Sequence, residues 1–361
     1  MLTSAYSAIG GSTENKLGLK KAKKAIVILV DGLGVANLKY RPGHAPFLNR
    51  LESTRTIECA FPSTTASSIT SLATGVRPGL HNIVGYQVFD RIQSKPLNML
   101  TGWANGFEPE LVQDVRTISE LANTQGIFFA ATGPRAYEVS GFTAATMREA
   151  TYLPAESIED RVSAALDSLA SVKQGIVYLY IPELDQIAHA DGSKSARWLA
   201  KLEEVDSAVA SLARRASSDT GLLLTADHGI IDIDRENRVF LDEYLGDEVQ
   251  FVGGDPRVNF VYITNPTEEE VDRVAKQLSA ALAETCFVAT REQVVAAGWY
   301  GKEVRESAIE LMPEIFVVAK TAVAIYDRRF AKPQSLKMIG QHGGITPEET
   351  KVPLISLGAF A

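Results

Sequence analysis

The chain has 361 residues, 45% apolar and 22% charged, which is enough apolar material for one large globular domain or a core with a smaller piece attached. Its net charge of −8 argues against duplex nucleic acid as the main partner, but not against a small phosphate ester, because bound divalent ions would set the local field. Two cysteines, Cys59 and Cys286, provide neither a disulfide framework nor a metal-spaced thiol pair.

Residues 1–20, with Gly10-Gly11-Ser12-Thr13, read as an irregular arm. Met1 to Gly10 lacks a basic start followed by an apolar block, so no signal peptide is read and a cytoplasmic location is expected. Ala25 to Val30 is a continuous apolar run, far too short to span a bilayer but right for a parallel strand buried on both faces. Asp31-Gly-Leu-Gly34 ends it, and Pro46 is placed to start a short helix through Leu51. A strand over Thr56 to Ala60 turns at Phe61-Pro62 and enters a helix at Thr64 or Thr65 that runs through Leu72. Residues 76–110 read as loops with a strand near Ile83 to Phe89.

Thr117-Ile-Ser-Glu120 is a capping box, followed by a helix to about Asn123 and a strand over Ile127 to Ala131. Apolar residues at helical spacing mark Ser157 to Ala170 and Ser195 to Ala216, and strands follow over Ile176 to Ile181 and Leu222 to Thr225. Alternation at this pace predicts an α/β fold with a mostly parallel sheet and helices on both faces. From about 236 to 334 the texture changes: the strands alternate and one helix has its own capping box at Thr267 to Glu270. This stretch is read as an inserted α+β cap, with 1–235 and 335–361 as the core that Val352 to Leu357 rejoins.

The chemistry-bearing residues follow strand ends. Asp31 follows the first strand, Thr65 the second, Asp185 and His189 the strand ending at Ile181, and Asp227-His228 the strand ending at Thr225. In an open parallel sheet those ends share one edge, where ligands bind. The chain has five histidines, and His189, His228 and His342 all lie in these motifs. Asp and His without cysteine form a donor set suited to zinc, with manganese or iron as competitors. The Asp185-x-x-x-His189 spacing sets both side chains on one side of a helical turn. Thr65 at a helix start would have backbone N–H groups and the positive dipole end beside a bound anion, although Ser63, Thr64 and Thr65 could equally be plain cap residues.

These motifs together, Asp31-Gly, Phe61-Pro-Ser-Thr-Thr65 with Thr74-Gly75, Asp185-x-x-x-His189, Asp227-His228-Gly and His342-Gly-Gly, resemble the alkaline phosphatase superfamily. The likeness is greatest to its type I phosphodiesterase/nucleotide pyrophosphatase branch. It spans nearly the whole core and implies an alkaline-phosphatase-like fold with a cap that shapes substrate choice. In that family the nucleophilic hydroxyl lies ten residues before the Gly of the Thr-Gly pair, which here selects Thr65. The resemblance implies two zinc ions, one held by Asp185, His189 and His342, the other by Asp31, Asp227, His228 and the Thr65 oxygen. It implies hydrolysis of small phosphate esters or nucleotides through a phosphothreonine. One position departs: where the family places an Asn that holds a phosphate oxygen, this chain reads His81-Asn-Ile-Val-Gly85 and then Tyr86, so Tyr86 or Asn82 is the expected substitute. Cys59-Ala-Phe-Pro-Ser lacks the Cys-x-Pro-x-Arg pattern of formylglycine sulfatases. A phosphomonoesterase and a catalytically silent zinc- or phosphate-binding homologue are the rival readings. Oligomeric state is left open.

Overall fold

The computed structural model describes residues 1–51, 54–103 and 107–361. Its centre is a seven-stranded sheet in the order Arg55–Glu58, Lys351–Gly358, Thr220–Thr225, Lys24–Val30, Gly175–Ile181, Phe128–Gly133, Thr151–Pro154. The Lys24–Val30 strand has no polar face because helices cover the sheet on both sides, and Ile26, Ile28 and Val30 enter one apolar cluster while Ala25, Val27 and Leu29 enter the other. Its register fixes the functional edge. Val30 pairs with Ile181 and Leu29 with Thr225, so Asp31, the Glu183–Asp191 helix and Asp227 leave the sheet side by side.

The Lys351–Gly358 strand is antiparallel to both of its neighbours. Arg55–Glu58 therefore points the same way as the parallel strands, and the chain after it arrives at the same edge. There the Thr65–Thr74 helix begins, and Gly75 closes it with φ +79, a conformation where a Cβ would also meet the Thr3 side chain at 2.4 Å. An isolated bridge between Ser63 and Gly343 draws the His342 loop beside Thr65.

The strands Val249–Asp255, Val258–Ile263, Ile315–Ala319 and Cys286–Thr290 form a separate antiparallel sheet, and no described strand between 236 and 334 joins the main one. One face of this second sheet packs on the Glu268–Ala281 helix through Val274 and Leu278. The other face, with Phe260 and Phe316, packs on Ile83, Val84, Val88 and Leu97.

Several local expectations need correction. The N-terminus is not an irregular arm: Leu2–Ala8 is a helix whose Leu2, Ala5 and Tyr6 are buried, a spacing of three and four that marks one helical face. The loop region holds a Pro78–His81 helical turn and a Gln87–Asp90/Lys95–Asn98 hairpin, shifted from the expected strand; residues 104–106 of it lie outside the described residues. The Gly141–Thr146 helix and the edge strand Thr151–Pro154 are additional to the expected elements. At Thr117 the capping box forms reciprocally, whereas at Thr267 only the side-chain bond to the Glu270 N–H is present.

Candidate metal centre

Ser63, Thr64 and Thr65 sit where a helix cap would, yet none of their hydroxyls caps. Ser63 Oγ donates to the Gly344 carbonyl at 2.7 Å, Thr64 Oγ1 turns to the Asp255 carboxyl, and Thr65 Oγ1 lies 3.1 Å from His228 Nε2. The Thr65 hydroxyl is thus turned toward the sheet edge.

Three histidines meet there, and their protons are placed by the backbone. His189 Nδ1 is 2.8 Å from the Gly340 carbonyl, His228 Nδ1 3.1 Å from that of Gly229, and His342 Nδ1 3.0 Å from that of Ser63. A carbonyl only accepts, so each Nδ1 carries a proton and each Nε2 is directed to the carboxylates, the orientation a metal-ligating imidazole takes. His189 Nε2 is 3.3 Å from Asp185 Oδ2 and His228 Nε2 is 3.4 Å from Asp31 Oδ1 and 3.5 Å from Asp227 Oδ2. His342 Nε2 lies 3.9 Å from Asp185 Oδ1, and the His228 and His342 rings stack at 3.7 Å.

The carboxylates are only half satisfied. Asp227 Oδ1 accepts the N–H groups of Gly32 and His228, and Asp31 Oδ2 accepts the Tyr180 hydroxyl at 2.5 Å. Asp31 Oδ1, Asp185 Oδ1 and Asp227 Oδ2 are buried with no hydrogen-bond partner. Three acids packed together with one bare oxygen each are what divalent cations would compensate. Donor atoms of Asp185, His189 and His342 fall within 4.8 Å of one another, as do those of Asp31, Asp185 and His228. The second grouping differs from the expected set in drawing on Asp185, so that one carboxylate stands between both. Oxygen and imidazole donors without sulfur fit zinc, manganese or iron.

Electrostatics reflect the crowding. Burial, then the Asp227 and Asp185 charges, hold the Asp31 carboxyl well above its ordinary range. For Asp185 burial acts upward too, but the His189 charge prevails and the group stays far more acidic than usual. Burial pulls His189 down, the Asp185 carboxylate outweighs it, and the result is a pKa pushed up to about 9. Burial and the neighbouring His228 hold His342 well below the usual range.

Two residues near this edge escaped the sequence reading. Tyr180 anchors Asp31 and was legible only as one more apolar-strand residue. Asp255, from the second sheet, is buried with a bare Oδ2 and a pKa raised to about 8, chiefly by burial and against the pull of His189. An Asp between Gly253-Gly254 and Pro256 in a buried strand was the available signal. Asn82 Nδ2 donates to the Val112 carbonyl and Asn82 Oδ1 accepts from Ser307, so its amide is committed to the junction with the second sheet. Tyr86 lines a narrow groove of about 110 Å³ with Asn98 and Asp255.

The family profile described as type I phosphodiesterase / nucleotide pyrophosphatase matches residues 25–345. The chain belongs to that family. Among curated relatives, ectonucleotide pyrophosphatase/phosphodiesterase family member 1 of Rattus norvegicus is 24% identical over 245 residues, covering 62% of this chain and 26% of the relative. An uncharacterized pyrophosphatase/phosphodiesterase of Schizosaccharomyces pombe is 25% identical over 264 residues, covering 66% and 50%. The chain thus spans at most half the length of these relatives. Among solved structures, an inactive variant of murine ectonucleotide pyrophosphatase/phosphodiesterase 5 in complex with AMP superposes with a TM-score of 0.73 at 20% identity, covering 93% of this chain and 88% of that one. Phosphonoacetate hydrolase from Sinorhizobium meliloti gives 0.73 at 17% identity, covering 94% and 91%. These likenesses establish the α/β core and its mostly parallel sheet. No described helix is long and apolar enough to cross a membrane.

Proposed function

We propose that this member of the family is a metal-dependent hydrolase of small phosphate diesters or nucleotide pyrophosphates, acting through a phosphothreonine on Thr65. The observation that carries the reading is the Thr65 hydroxyl 3.1 Å from His228 Nε2, amid three buried carboxylates with bare oxygens. Asp185, His189 and His342 would hold one ion, and Asp31, Asp227, His228 and the Thr65 oxygen the other. Two such ions, zinc being the best match, would lower the pKa of the Thr65 hydroxyl and offset charge gathering on the phosphoryl and leaving oxygens.

Thr65 Oγ forms the new bond to phosphorus as the bond to the leaving oxygen breaks, and the hydroxyl proton goes to solvent or the leaving group. Water then forms the next bond to phosphorus and the Thr65 Oγ–P bond breaks. The first-turn N–H groups of the Thr65–Thr74 helix support the anion during both steps. Tyr180 fixes Asp31, and the Gly340, Gly229 and Ser63 carbonyls fix the imidazole tautomers. In this reading residues 236–334 act as a cap that shapes substrate choice without supplying a metal ligand. The test is a rate comparison of zinc-loaded protein on p-nitrophenyl phosphate, bis-p-nitrophenyl phosphate and a nucleotide pyrophosphate. The diester and pyrophosphate should be turned over faster; a preference for the monoester would reassign the protein as a phosphomonoesterase, and no turnover of any would leave it a binding protein.

A further inference from the structure

The loop that carries His342 is held from two sides. On one side stands Ser63: its carbonyl accepts His342 Nδ1 at 3.0 Å, and its Oγ accepts the Gly343 N–H at 3.1 Å and donates to the Gly344 carbonyl at 2.7 Å. On the other stands Glu349, whose Oε1 accepts the Gly344 N–H at 2.8 Å. Gly343 between them has φ +117, and a Cβ there would meet Asp255 Cβ at 2.8 Å, so the second sheet packs directly against the loop.

Glu349 is held in turn. Thr346 Oγ1 donates to its Oε2 at 2.8 Å. Arg257, in the turn between the Val249–Asp255 and Val258–Ile263 strands, forks onto both oxygens, Nε to Oε1 at 3.1 Å and Nη2 to Oε2 at 2.8 Å. Arg257 Nη1 donates to the Thr321 and Val323 carbonyls. Both side chains of the pair are 0% exposed. An ion pair this deep regains in attraction little more than it costs in lost hydration, and an apolar pair of the same size would hold the segments together as well. An apolar pair would not accept the Gly344 N–H, and that contact is what the charges add.

We propose that Arg257 and Glu349 are positioning residues for His342. Through Gly344 they fix the imidazole beside Asp185 and His189, so a sheet that lends no ligand sets how tightly the ion of that group is held. The assignment rests on the two-ion reading of the site. The Glu349 backbone carbonyl also accepts the Gly229 N–H, next to His228, at 2.7 Å. That contact does not involve the side chain, so changes to the pair should spare the ion of Asp31, Asp227 and His228.

The test is a zinc titration of metal-free protein against a chromogenic chelator, with a denaturant melt of each variant. Wild type should bind in two steps, and His342→Ala identifies the step that its imidazole serves. Arg257→Met combined with Glu349→Leu removes the pair at nearly constant volume. It should weaken that step about tenfold to a hundredfold, the usual cost of losing support behind a metal ligand, and leave the other step unchanged. Arg257→Lys keeps the charge but not the fork, and should give a smaller loss at the same step even if the double variant does not fold. Arg91→Met breaks the Arg91–Glu314 pair, which ties the Gln87–Asp90/Lys95–Asn98 hairpin to the second sheet. It should lower the denaturation midpoint and leave both zinc steps alone. An unchanged His342 step, or equal weakening of both steps in the pair variants, would overturn the proposal and leave the two-ion reading standing. Absence of any zinc step in wild type would overturn that reading and the proposal with it.

Discussion

Thr64 and Thr65 carry the same hydroxyl one residue apart, in opposite surroundings. Thr64 is the N-cap residue with its Oγ1 turned to the Asp255 carboxyl, while Thr65 Oγ1 faces His228. Thr65→Ala should therefore leave the fold in place and lower turnover by several orders of magnitude, because the two-step route needs a side-chain oxygen on phosphorus. Thr64→Ala should be far milder. A chiral phosphate diester should be hydrolysed with net retention, since phosphorus inverts twice. Net inversion, or full activity in Thr65→Ala, would show that water attacks directly.

At the scale of elements, His81 joins the Pro78–His81 turn to the Thr65–Thr74 helix. Its Nδ1 accepts the Ile83 N–H at 3.2 Å, so the ring proton is on Nε2, 2.9 Å from Ser71 Oγ. A second proton would have to displace the Ile83 bond inside a fully buried site, and burial lowers the His81 pKa to about 3. The unfolded ring titrates near 6.5, so the native state binds fewer protons than the unfolded state between those values. Its stabilisation is complete above pH 6.5 and is lost as pH falls toward 3, at up to about 1.4 kcal/mol per pH unit. Denaturant unfolding of wild type and His81→Gln across that window measures it: the wild-type slope should be steeper, and parallel slopes would assign acid sensitivity elsewhere.

For the whole molecule, the metal edge is where strands, the His342 loop and the second sheet converge, and its packed carboxylates oppose folding until cations balance them. Zinc or manganese should raise Tm by several degrees over chelated protein; ions at 100 times their dissociation constant contribute about 2.7 kcal/mol per site. The gain should grow with pH up to about 9, because an ion held by Asp185, His189 and His342 would have to displace the proton that Asp185 holds on His189. Scanning calorimetry at several pH values checks both statements, and a Tm indifferent to chelation would contradict the metal assignment.

The long parallel strands and the helices between them were legible because each carries its own periodicity or apolar run. The edge positions of Asp31, Thr65, Asp185 and Asp227 followed, since a parallel sheet delivers every strand end to one side. Short or edge elements lacked such a signal: Thr151–Pro154 is only half-buried and alternates weakly, and Leu2–Ala8 has a single helical face hidden in small residues. What tertiary structure alone decided is long-range. The buried Arg257–Glu349 pair, 2.8 Å apart, locks the second sheet to the last core segment across 92 residues of chain. Packing between distant segments likewise commits the Asn82 amide to Val112 and Ser307 and brings Asp255 toward the metal edge. No local pattern encodes these outcomes, because each depends on which distant polar atom reaches a buried group first.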